Sequence, residues 1–169
     1  MSAALTHPAV RRSLDGLRIA YEVVACDPSL ADTAAFCAAY GFDPGDSANC
    51  IVVASRRPPG VRMVALVLAT TRLDVNDACC RLMGVRKASF APAELTAELT
   101  GMEIGGVTPF GLPQALLPVR VDAAVLLRPR VVVGAGDRAA KLLVDPAVFA
   151  RSADFEVVEG LAAAAVTGA

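Results

Sequence analysis

Apolar and polar positions along the chain change period several times, and each change marks an element. Residues 4–16 read as a first helix stopped by Asp15-Gly16. Residues 18–24 (RIAYEVV) alternate and are β-branched, which predicts a strand. An Asp27-Pro28 turn leads into an Ala-rich helix over 30–40, with Gly41 where a closing glycine belongs. After a polar loop over 42–47, strands are expected at 49–55 and 61–70, joined by the Arg56-Arg57-Pro58-Pro59-Gly60 hairpin loop. Asp74 is expected to N-cap a helix to Met83, followed by Gly84. A short strand at 87–90 and a helix at 92–100 precede a Gly- and Pro-rich loop over 101–113. Three short strands at 119–123, 130–133 and 141–144, a short helix over 145–150 and a last strand at 155–158 complete the pattern. Residues 161–169 are of low complexity and are expected to fray.

Strands and helices do not alternate strictly, so the pattern predicts a mixed sheet and not a doubly wound parallel one. One domain over 1–160 with a tail at 161–169 suits 169 residues. Hydrophobic residues make up 55% and charged ones 20%, which excludes disorder as the main state. Aromatics are 5% and Trp is absent, so the core must be aliphatic. A net charge of −1 gives no support to a bulk nucleic-acid coat. The most apolar stretch, 63–69, is far short of the roughly 20 residues of a membrane helix, and the first residues lack a signal-peptide pattern. A cytoplasmic protein with no membrane partner is therefore expected, and five cysteines without CxxC spacing fit reduced thiols.

The lone His7 and the adjacent Cys79-Cys80 give no zinc-ligand spacing and no triad. The stretch VVVGAGDRAA (131–140) imitates a dinucleotide fingerprint, but 33 residues after Gly136 cannot complete that fold. A tight bend at Gly134-Ala135-Gly136 fits better, either a plain turn or one whose amides hold an anion. The loop GMEIGGVTPFGLP (101–113) is either a rigid connector or a cradle in which Gly105-Gly106 lets a carbonyl approach the main chain.

That loop resembles the signature loop of the YbaK/EbsC family of aminoacyl-tRNA editing proteins, which includes Cys-tRNA(Pro) deacylases and the editing domain of prolyl-tRNA synthetases. The segments YEVVACDPSLADTAAFCAAYG, LDVNDACCRLMGVRKASFAPAELTAELTG, LPVRVDAAV and RVVVGAGDRAAKLLVDP resemble the family's elements in the same order, over residues 18–159. The resemblance implies a compact α/β (α+β) domain with a mixed, mostly antiparallel, barrel-like sheet and surrounding helices. It implies hydrolysis of a misacylated tRNA ester by a positioned water, with no cofactor and no metal. The partners implied are a tRNA acceptor end and an aminoacyl-tRNA synthetase; monomer or homodimer stays open.

On the same resemblance, catalysis falls to Asn49, Gly105, Gly106 and Lys141. Substrate contacts fall to Tyr21, Cys26, Cys50, Thr108, Phe110, Asp122, Gly134 and Gly136. One departure stands out: Asn49 occupies the position where relatives carry a Lys. The chain has only two lysines, Lys87 and Lys141. Lys141 is either a solvated strand end or the source of positive charge from the facing wall. Arg56, Arg57, Arg62, Arg72, Arg81, Arg86 and Lys87 either track an acceptor stem or are ordinary surface charge. The Asn49 departure keeps a non-catalytic binder of tRNA ends or of a synthetase as the alternative, with a small-molecule ester or thioester hydrolase behind it.

Overall fold

Two long antiparallel strands, β2 (Ala48–Arg57) and β3 (Pro59–Leu68), form the spine of the molecule. Val52, Val64, Leu66 and Leu68 face one hydrophobic core, while Val53, Met63, Ala65 and Val67 face a second. Alternate side chains of a strand point to opposite faces. A strand covered on both faces therefore reads as an unbroken apolar run, as 63–68 does. The structure, a computed structural model, describes residues 7–165.

The remaining elements follow in chain order. Helix α1 (Pro8–Leu17) leads to β1 (Tyr21–Ala25), then to helix α2 (Thr33–Tyr40) and the β2–β3 hairpin. A short strand β4 (Thr71–Leu73) follows, and then a π-helical turn (Val75–Cys79) that runs into α3 (Cys80–Met83). Next come β5 (Lys87–Phe90) and α4 (Ala93–Thr100). The last part is β-rich: β6 (Val119–Asp122), β7 (Val131–Gly134), β8 (Ala140–Val144), β9 (Phe155–Val158) and β10 (Ala162–Ala164).

Among the described residues the strands form three sheets, ordered β5-β2-β3-β6-β9, β1-β8-β7 and β10-β4. Pairing is antiparallel except for β3 with β6 and β6 with β9, so the α/β architecture with a mixed sheet is as expected. The barrel is not: the sheets stay open, and a single parallel bridge between Ser47 and Val132 links the start of β2 to β7. Stacked and edge-on contacts among Phe110, Phe149 and Phe155 anchor the larger core.

The expected helix over 30–40 is split into a 3-10 turn (Pro28–Leu30) and α2, because Asp27 caps the turn by accepting from the Ser29 N–H. Asp74 does cap the segment expected at 74–83, accepting from the Asp77 N–H, but its first turn is π-helical. Gly41, Gly84 and Gly101 close their helices in the left-handed region as predicted. The first helix begins at Pro8; residues 4–6 of the expected helix lie outside the described residues.

The expected fraying does not begin at residue 161. Leu161 is fully buried, and β10 pairs with β4. Residues 166–169 lie outside the described residues. Among the described residues no helix is long and apolar enough to cross a membrane.

Candidate functional site

The N-terminal end of α2, the start of β2, the end of β5, helix α4 with the loop after it, and the β7–β8 pair meet around a cavity of about 440 Å³. Ala31, Phe36, Ala48, Val52 and Val132 give it apolar walls, while Thr33, Asn49, Thr96 and Lys141 bring polar groups to it.

Lys141 is the chain's notable burial. Only 7% of it is exposed, and its ammonium donates to the Gly105 carbonyl at 2.7 Å and lies 5.9 Å from the Phe36 ring centroid. Of the two expectations for Lys141, a solvated strand end or a cationic wall, burial excludes the first. Loss of hydration lowers the Lys141 pKa below its ordinary value, and Arg138 adds to this, while Cys26, Asp32 and Cys37 oppose it. Pairing with Val24 on one side and Gly134 on the other fixes the strand that carries it.

Asn49 approaches from β2. The Thr33 hydroxyl donates to Asn49 Oδ1 at 2.7 Å, so the amide NH2 lies on the far side of the carboxamide from that bond. Cys50, the next residue, also lines the cavity, and burial pushes its thiol far above the ordinary range. Cys26 lies beside Lys141 and is likewise raised, chiefly by burial, with Lys141 opposing.

The loop over 101–113 is ordered by its own backbone. Gly105 has φ +90°, which few other residues adopt. The peptide joining Gly105 to Gly106 is engaged at both ends, its carbonyl by Lys141 and its N–H by the Glu103 carbonyl at 2.9 Å. The Gly106 amide, expected as an oxyanion donor, is therefore already spent. Gly106 instead allows close packing, since a Cβ there would lie 2.2 Å from the Asp137 carbonyl oxygen. A Cβ on Gly134 would lie 2.4 Å from the Val107 carbonyl oxygen. The bend at 134–136 is a chain reversal between β7 and β8, which removes the dinucleotide reading. Its Gly136 N–H goes to the Gly106 carbonyl at 2.7 Å and holds no anion.

The structure thus gathers Asn49, Cys50, Gly105, Gly134 and Lys141 around one cavity, with Cys26 close behind. Other expected contacts lie elsewhere. Phe110 is fully buried in the aromatic cluster. Thr108 is also fully buried, and its hydroxyl has no hydrogen-bond partner among the described residues. Tyr21 packs on the larger core from β1. Asp122 sits at the end of β6, where its carboxylate accepts the N–H groups of Leu161 and Ala162 at 3.1 and 3.3 Å. Gly136 packs against the His7 ring, whose Nε2 bonds the Gly101 carbonyl at 3.0 Å.

Two contributors escaped the sequence reading. Thr33 orients Asn49 from 16 residues away. Arg138 donates to the carbonyls of Pro28 and Ile104, both at 2.9 Å, and pairs with Asp32 at 3.6 Å. It ties the approach to α2 to the Gly105 loop. No local pattern marks either residue, because both act through long-range contacts. Of the basic residues, Arg57 and Lys87 are register partners on β2 and β5, and the Arg86 N–H donates to the Arg57 carbonyl at 2.8 Å. Arg81 is engaged by Asp77.

This geometry can be set beside known proteins. The aminoacyl-tRNA editing domain profile matches residues 27–151, which includes every element around the cavity. The chain belongs to the aminoacyl-tRNA editing domain family. Among solved structures, a hypothetical protein, APE2540, shares the fold with a TM-score of 0.80 at 22% identity, over 92% of this chain and 99% of that one. A candidate trans-editing enzyme for prolyl tRNA synthetase aligns with a TM-score of 0.72 at 26% identity, over 91% of this chain and 97% of that one. A scaffold protein used for epitope grafting gives 0.73 at 23% identity, over 91% and 97%. No curated protein matches the sequence.

Proposed function

We propose that this member of the editing family hydrolyses the ester joining an amino acid to the terminal ribose of a misacylated tRNA, acting in trans. The observation that carries the reading is that Lys141, Asn49 and Gly105 line one cavity with apolar walls. The acyl group enters among Ala31, Ala48, Phe36 and Val132, which give it an apolar lining. The Asn49 amide and the Lys141 ammonium offset negative charge as it develops on the ester carbonyl oxygen. Lys141 supplies the positive charge that Asn49 lacks.

A water is the attacking group. Burial keeps the Cys50 thiol protonated, and a thiol is a far weaker nucleophile than a thiolate. Water adds to the carbonyl carbon, the bond to the ribose oxygen breaks, and that oxygen takes up a proton, releasing free amino acid and intact tRNA. The partners of this cytoplasmic activity are the acceptor end of tRNA and, in trans, a synthetase.

A panel of mischarged tRNAs tests the reading by release of free amino acid. Release above buffer from at least one is expected, falling by ten-fold or more in Lys141→Met. If none is hydrolysed, the proposal fails.

A further inference from the structure

Few large apolar side chains are exposed among the described residues, and two of them stand at the cavity. Phe90 is 56% exposed and Ile104 42% exposed. Neither is on a loose segment. Phe90 ends β5 in register with Val53 of β2, and the Ile104 carbonyl is held by Arg138. An exposed aromatic face on a fixed backbone is a stacking surface that costs little further ordering when used.

A flat apolar group at the mouth of a cavity that takes a ribose ester matches the base of the nucleotide at the end of an RNA strand.

We infer that Phe90 and Ile104 clamp the terminal base of the RNA whose acyl ester occupies the cavity. The clamp rests on the hydrolase reading above and adds a base subsite to it. Base stacking on an aromatic ring is sequence-tolerant, so the clamp binds the end of the strand without reading the stem.

An acylated RNA hairpin, made with an intact or an abasic terminal nucleotide, provides the test. Phe90→Ala should raise KM on the intact hairpin by roughly 5- to 150-fold with kcat held within about two-fold, and Phe90→Trp should restore it. On the abasic hairpin, wild type should already show the high KM and Phe90→Ala should add nothing. Independent, multiplying losses would mean that Phe90 only shapes the cavity or meets a protein surface, and would overturn the clamp. So would an unchanged KM. If wild type releases no amino acid at all, the hydrolase reading fails. The clamp is then read with 2-aminopurine at the end of an uncharged hairpin. Quenching by wild type and not by Phe90→Ala sustains it, and no quenching by wild type ends it.

Discussion

A single hydroxyl controls which face Asn49 shows to the cavity. Thr33 Oγ1 donates to Asn49 Oδ1, so the carboxamide cannot turn without losing a part-buried bond. Such a bond contributes about 1 kcal/mol net. Thr33→Val keeps the shape of the side chain and removes only the donor. The expected outcome is a stability loss of about 1 kcal/mol in urea titration and a several-fold lower kcat/KM for amino-acid release. Thr33→Ser should retain both. Activity unchanged in Thr33→Val would mean that the orientation of Asn49 is irrelevant. Asn49 itself was legible as a departure at a defined place in the sequence. Thr33 was not, because the bond spans α2 and β2 and no local period reports it.

Elements were legible where local chemistry decides them. Strands at 87–90 and 155–158 and the glycine stops after α2, α3 and α4 depend on patterning and backbone conformation within a few residues. The last strand was missed for the opposite reason. Ala162–Ala164 carries no β-branched signal, and it is a strand because β4 offers a free edge and Asp122 receives the N–H groups of Leu161 and Ala162. Asp122 is expected at the substrate because LPVRVDAAV resembles a family strand that carries an Asp; the fold instead uses it to hold the C-terminal segment. Asp122→Ala leaves two N–H groups without that acceptor. A loss of about 1–3 kcal/mol is expected, with faster amide exchange confined at first to residues 161–164. Asp122→Asn, which retains an oxygen acceptor, should lose less. Uniform exchange across the chain in Asp122→Ala would contradict this assignment.

At the scale of the whole molecule, the mostly antiparallel character of the sheets was readable, but their closure was not, since it depends on how β1, β7 and β8 sit against β2 through one bridge at Ser47. That arrangement buries an ammonium beside the cavity, while the core on the other face of the β2–β3 hairpin buries a thiol, and the two respond to alkali with opposite sign. The thiol is Cys79, fully buried and pushed up to about 12 by burial first and by Asp74 and Cys80 after it. Below pH 9 it is protonated whether the chain is folded or not. Between pH 9 and about 12 the unfolded chain gives up that proton and the folded one retains it, so stability falls as pH rises, by about 1.4 kcal/mol per pH unit. Lys141 is lowered from 10.5, so below its folded pKa the buried charge carries a cost. That cost disappears between the lowered value and 10.5, and stability rises there. Urea midpoints at pH 7.5, 9 and 10.5 separate the two. The margin of wild type over Cys79→Ala should hold to pH 9 and then shrink. Over the same rise, wild type should gain on Lys141→Met. Parallel curves for all three proteins would show that neither group changes its protonation on folding.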